Sequence, residues 1–218
     1  CGQQSLEKST TLKKVKDITA SVTNDDLLSK DEVLSDWEKH DGSTSIAGVQ
    51  VSLSCPEEWH VDAYEDDEGD DEYNSISACT YNTPKYDLNV EKNRYLYDKN
   101  GKDLAKSITK NVDNLGVNSS KKAIQRIEDS YTYNLKNDAY PKWTEVGFET
   151  KIINGQTYVI AKGKLNTKKN KSNKGSYWYI TIQNGKILEF QFTAPSAANM
   201  DDSVISIFES IMDTVKYD

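Results

Sequence analysis

Two Asn-Gly pairs constrain this chain more than any other feature. Asn154-Gly155 divides "FETKIINGQTYVIAKGKL", and Asn184-Gly185 divides "SYWYITIQNGKILEFQFT". Asn tolerates the left-handed backbone region and Gly enters it freely. The pair therefore suits the two-residue type I′ turn, whose twist matches the strands it joins. The flanking residues alternate. Trp178, Ile180 and Ile182 share one face, and Leu188, Phe190 and Phe192 share a face on the partner strand. A period of two is the strand period. Two long hairpins in succession, the second stopped by Pro195, oblige the chain to build an antiparallel sheet, and the sheet must bury a face against something.

The remaining patterns supply the cover and more strands. In "GVQVSLSCP", Val49, Val51 and Leu53 alternate with polar residues until Pro56 stops the strand. "YNSISACTYN" reads as a second strand, with Ile76 and Ala78 on one face, and "NRYLYD" as an extended segment closed by the turn "KNGK". Leu104, Ile108, Val112 and Leu115 predict a helix over 102–116, with Gly116 as its stop. Ser119 or Ser120 starts a second, with Ile124, Ile127, Tyr131 and Leu135 in a stripe; its later part, "SYTYNL", also reads as strand. Val204, Phe208, Ile211 and Val215 predict a closing helix, with Asp201 and Asp202 at the positive end of its dipole. The expected fold is α+β: an antiparallel sheet with helices packed on it in an α/β/α sandwich, bounded at 46–218. Residues 1–45 read as a polar tether. Leu27, Leu34 and Trp37 allow a short helix at 25–40 within it, either docked or part of the spacer, and "DGSTS" breaks the pattern.

Charge excludes some functions. The net charge is −8, and Arg94 and Arg126 are the only arginines. Arginine is preferred for bidentate contacts to phosphates and bases, so no nucleic-acid partner is expected. No apolar run is long enough for a membrane-spanning helix. The sequence carries no GxSxG, HExxH, P-loop or GxGxxG. Cys55 and His60 could form a nucleophile pair, but Cys55 reads better as packed beneath the Pro56 turn. No enzyme activity and no cofactor are expected.

Residues 57–72 carry ten carboxylates and no Lys or Arg. Asp66, Asp67, Asp70, Asp71 and Glu72, around Gly69, are hard oxygen donors of the kind Ca²⁺ takes. A calcium- or small-ligand-binding module on loop 65–72 is thus one functional alternative. The spacing is not that of an EF-hand, since Tyr64 and Asp66 would fall at its first and third places, and a solvated loop is the simpler reading. The complement lies at 162–174, with six lysines and no acid. It reads as a solvated loop or as an electrostatic patch for anionic lipid or wall polymer.

The three cysteines fall into two kinds. Cys55 has the parity of the apolar face in its strand and Cys79 the opposite parity. A bridge between them needs a bulge or strand end where parity slips; two unpaired thiols are the alternative. Cys1, followed by Gly2 and small polar residues, resembles the processed start of bacterial lipoproteins. In that family the cysteine sulfur carries diacylglycerol, and two acyl chains anchor stably where one is marginal. The resemblance implies lipid attachment at Cys1 and a place at the extracytoplasmic face of a cell membrane.

The order of elements resembles a second family. A strand runs into Pro-x-x-Trp (Pro56, Trp59), a helical middle follows, then two long hairpins and a closing amphipathic helix. This is similar to the PsbP-like superfamily, which includes Mog-like Ran-binding proteins, DcrB-like lipoproteins and photosystem extrinsic subunits. The resemblance covers about 46–218. It implies an α/β/α sandwich and a non-enzymatic adaptor acting on a protein or envelope ligand. It assigns no functional residue, because Pro56 and Trp59 read as structural.

Overall fold

The structure, a computed structural model, describes residues 39–166 and 173–218. Cys1, the tether up to residue 38 with most of the helix expected there, and Lys168, Lys169 and Lys171 lie outside the described residues.

Seven strands form the main antiparallel sheet, in the order β3-β4-β5-β9-β8-β7-β6. They are β3 (Trp59–Tyr64), β4 (Ser75–Thr80), β5 (Asp87–Lys92), β6 (Trp143–Ile153), β7 (Gln156–Asn166), β8 (Asn173–Gln183) and β9 (Lys186–Ala194). The two Asn-Gly turns close the β6–β7 and β8–β9 hairpins. Asn154 and Asn184 take φ of 49° and 50°, and the glycines after them 79° and 69°, as the turn type demands. A smaller antiparallel sheet runs β1-β2-β10, from β1 (Asp41–Ile46), β2 (Val49–Ser54) and β10 (Lys216–Tyr217).

The expected breaker "DGSTS" is therefore most of β1, with Gly42 opposite Leu53 in the register of the pair. Gly42 belongs there because the small sheet lies directly on the large one: a Cβ at this position would stand 2.6 Å from Val61 Cγ1. The chain joins the domain even earlier. The Lys39 and His40 carbonyls accept from the Val61 and Cys55 amides, and His40 Nδ1 donates to the Trp59 carbonyl at 2.7 Å.

Three helices are present among the described residues: α1 (Ala105–Thr109), α2 (Lys121–Tyr133) and α3 (Asp202–Asp213). The helix expected over 102–116 stops at Thr109. Asn111 has φ of 61°, and Leu115 is taken up by strands: its amide donates to the Ile182 carbonyl and its carbonyl accepts from Thr157. Ile108 and Leu115 are still buried, so their apolar pattern reports burial correctly and periodicity wrongly. Ser120 caps α2, accepting from the Ala123 amide at 3.1 Å. "SYTYNL" continues as helix and ends in one π turn, Asn134–Asp138. Asp201 caps α3 through the Val204 amide at 3.0 Å.

The main sheet separates two cores. On one face Trp59, Val61, Ile76, Leu88, Tyr158, Tyr177, Tyr179, Phe190 and Phe192 meet α3 and the small sheet. On the other, Val159, Ala161, Ile180, Ile182 and Ile187 meet Ile127, Tyr131 and Leu135 of α2 with its neighbours Leu96, Ile108 and Leu115. This is the α+β, α/β/α arrangement expected, with one outer layer shared between α3 and the three-stranded sheet.

Candidate functional site

An apolar concavity lies where three distant segments meet. The Pro56–Trp59 turn forms one wall, the β4–β5 connection with Thr80, Thr83, Pro84 and Tyr86 forms the second, and Val204, Ile207 and Phe208 of α3 form the third. Its volume is about 270 Å³. Each wall has a local cause. Pro56 ends β2, and the Trp59 amide folds back on the Pro56 carbonyl at 2.9 Å, so the indole turns into the core edge-on to Phe192 and Phe208. The Thr80 hydroxyl accepts from the Tyr86 amide at 2.9 Å and holds the β4–β5 connection closed. Tyr86 stands edge-on to Phe208, with ring centroids 6.3 Å apart. Burial, then the Asp201 carboxylate, push the Tyr86 phenol up from its ordinary value. On α3, Val204 and Phe208 are buried, but Ile207 is 39% exposed at the mouth. The groove thus presents aromatic and aliphatic surface, with Glu58, Asn82 and Thr83 as its polar lining.

A larger depression of about 710 Å³ lies at the hairpin tips, between Asn114, Gln156, Gln183 and the chain near Lys216. Its amides are spent on the fold. Asn154 donates to the Asp213 carbonyl, Gln156 to Thr181 and Ile182, Gln183 to Gln156, and Asn114 accepts from the Asn184 amide. The Trp59 groove is lined mainly by apolar side chains, which such bonds cannot occupy, and it is the candidate site.

The residues singled out in the sequence are distributed differently. Cys55 and Cys79 are both buried thiols with no disulfide between them. The parity conflict decides this: Cys55 packs in the core with Trp59 and Val61, whereas Cys79 lies opposite His60 in the β3–β4 register, on the other face of the sheet. Burial, then the Asp41 charge, push the Cys55 thiol up to about 12, away from the nucleophilic thiolate. The alternation of β3 likewise sends His60 away from Cys55, so the two are not brought together. His60 is buried, with Nε2 3.1 Å from Asp62 and its ring beside Tyr81.

Much of the acidic loop holds itself in place. Asp66 Oδ2 accepts from the Glu68 and Asp70 amides, Asp70 from the Glu72 amide, and Asp71 Oδ2 from the Ser45 hydroxyl and the Gly48 amide. Glu72 pairs with Lys92 at 2.6 Å, a bond that holds its carboxyl below the usual range. Asp67 is exposed. Among the described residues no three His, Cys, Asp or Glu side chains stand together as a metal site. In the basic stretch, Lys162 and Lys164 pair with Glu149 and Glu145 at 2.8 and 2.7 Å.

One buried polar group went unread in the sequence. Glu189 lies on the α2 face of β9 and is 3% exposed. It accepts from the Tyr131 hydroxyl, from Asn93 Nδ2 at 2.7 Å and from Gln191 Nε2 at 2.8 Å. Burial raises its pKa above the ordinary carboxylate value in spite of these donors. In "KILEFQF" it shares a face with Ile187 and Gln191, opposite Leu188, Phe190 and Phe192.

No family model and no curated protein matches the chain. Among solved structures the chain is similar to a Bacteroides thetaiotaomicron protein, at 16% identity and TM-score 0.37. That match covers 77% of this chain and 45% of that protein, less than half its length. It is also similar to cyanobacterial PsbP (CyanoP) from Synechocystis, at 12% identity and TM-score 0.38 over 81% of this chain and 92% of the other. A third likeness is to LpqN, described as involved in cell envelope biogenesis of Mycobacterium tuberculosis, at 12% identity and TM-score 0.38, covering 84% and 94%. Likeness at this level carries neither a family nor a function to this chain.

Proposed function

We propose that this chain is a non-enzymatic binding module, held at the extracytoplasmic face of a membrane by lipid on Cys1, that receives an apolar side chain of a protein partner in the Trp59 groove. The observation that carries the binding reading is the groove: Pro56, Trp59, Pro84, Tyr86, Val204 and Phe208 line it, and Ile207 is exposed at its mouth. Concave apolar surface with aromatic walls and few polar groups is what a side-chain anchor requires. The lipid reading rests on the Cys1-Gly2 pair followed by small polar residues.

Each half has its own test. Titration of the full chain with acetyl-Ser-Ser-Leu-Ser-Ser-amide should shift the methyl NMR signals of Val204 and Ile207, and the all-serine peptide should not. Ile207→Lys should abolish the shift. Equal response to both peptides, or none, removes the groove as a binding site. For the anchor, cells expressing the protein and fed labelled palmitate should label the wild type and not Cys1→Ser; equal label in both sinks the anchor.

A further inference from the structure

We infer that the Trp59 groove selects a cationic segment: an apolar anchor residue flanked in its own chain by lysine or arginine. The inference rests on the binding reading above and names the partner's chemistry.

The walls are apolar, and Glu58 is the charged residue of their lining. Glu57 stands beside it, and both are exposed on the Pro56–Trp59 turn. Asp201 and Asp202 are exposed at the start of α3, just before the lining residue Val204. Asp201 follows soon after Asn199, whose carbonyl accepts from the Tyr86 hydroxyl at 3.4 Å. It is itself held ionised: the Ser203 hydroxyl and the Val204 amide donate to it and keep its carboxyl below the ordinary value. Of the three wall segments, 56–59, 80–86 and 201–208, only the second contains a basic residue, Lys85. The Lys85 charge already acts on Asp87, outside the groove lining. The positive end of the α3 dipole offsets part of the Asp201 and Asp202 charge, so Glu57 and Glu58 carry the greater weight. A ligand whose apolar residue enters the groove places its neighbouring residues over these carboxylates. Cations there gain attraction and anions meet like charge, which is how a rim sets specificity around an apolar anchor.

The test uses the full chain and four peptides, followed by NMR and calorimetry: Lys-Lys-Leu-Lys-Lys, Ser-Ser-Leu-Ser-Ser, Glu-Glu-Leu-Glu-Glu and Lys-Lys-Ser-Lys-Lys, all capped at both ends. Exposed ion pairs are individually weak, so the Lys-flanked leucine peptide should bind about 3- to 10-fold tighter than the Ser-flanked one. That ratio should shrink toward one at high salt, and Glu58→Gln with Asp202→Asn should also bring it near one. Equal or tighter binding of the Glu-flanked peptide overturns the inference and leaves the groove reading standing. Binding by none of the three leucine peptides overturns both. An equal response to the leucine-free Lys peptide means charge alone is sensed, and overturns the inference. A dimer in sedimentation equilibrium that Ile207→Lys dissolves makes a second copy the occupant, and also overturns it.

Discussion

The two faces of the main sheet are closed by different means. On the α3 side the contact is aromatic. Phe208 stacks on Phe192 with centroids 4.2 Å apart and planes at 19°, and Trp59, Tyr86 and Tyr177 surround the same ring. Two tyrosines of this face turn their hydroxyls to its margin, Tyr177 to Glu149 and Tyr158 to Tyr217. On the α2 side an aliphatic core surrounds a carboxylate, and α2 is tied to β9 through Tyr131 and Glu189. Shape holds the first face, and its strength is indifferent to pH near neutrality. Donors and a buried charge hold the second, so its strength depends on protonation. The lesson is that one sheet supports two kinds of cover, of which only the polar one is tunable by its surroundings.

The largest expected effect falls on the aromatic face. Phe208→Ala removes the ring that Trp59, Tyr86, Tyr177 and Phe192 share with the groove, and should cost about 3–5 kcal/mol in urea unfolding. A loss under about 1 kcal/mol would mean that the face collapses to fill the hole, and the contrast between the faces would fail. On the other side, Tyr131→Phe leaves a buried carboxylate short of one donor and should cost about 1–3 kcal/mol at neutral pH. The loss should narrow in acid, where Glu189 is protonated; equal loss at both pH values would show that the phenol only fills space.

The caps allow a smaller and symmetrical comparison. Asp201→Ala on α3 and Ser120→Ala on α2 should each cost about 1 kcal/mol, read as shifts of the urea midpoint at constant slope. The smallest expected effect is a change of slope. Burial raises the Glu189 pKa above its unfolded value, so the folded state holds this proton more tightly than the unfolded chain. Its stabilising contribution is full below the unfolded pKa and is lost as pH rises through the folded one. Glu189→Gln should therefore flatten the fall in stability from acid toward neutral pH. An unchanged profile would place the titrating group elsewhere.

Legibility in the sequence followed the range of the interactions. The two hairpins, α2 and α3 were readable because Asn-Gly turns, Ser120, Asp201 and the apolar stripes act within a few residues. The unbridged cysteines were partly readable, since strand parity already set Cys55 against Cys79. Leu115 shows the limit. Its spacing from Ile108 fits a helix, yet its backbone bonds to Ile182 and Thr157, partners 67 and 42 residues away (182 − 115 and 157 − 115), and those bonds won. "DGSTS" was misread for the same reason: its pairing with β2 and its closeness to Val61 are tertiary facts.

By itself, then, the sequence determined the strand period, the turn chemistry, the helix caps and the charge of each loop, because each depends on neighbours in the chain. Only the tertiary structure decided the rest. It brought Pro56, Pro84 and Ile207 into one groove, placed Glu58 in its lining, and buried Glu189 beneath Tyr131. None of these has a local signature. The residues come from segments 24 to 151 positions apart (80 − 56 and 207 − 56), and the free energy that joins them is released only when the sheet has closed between its two covers.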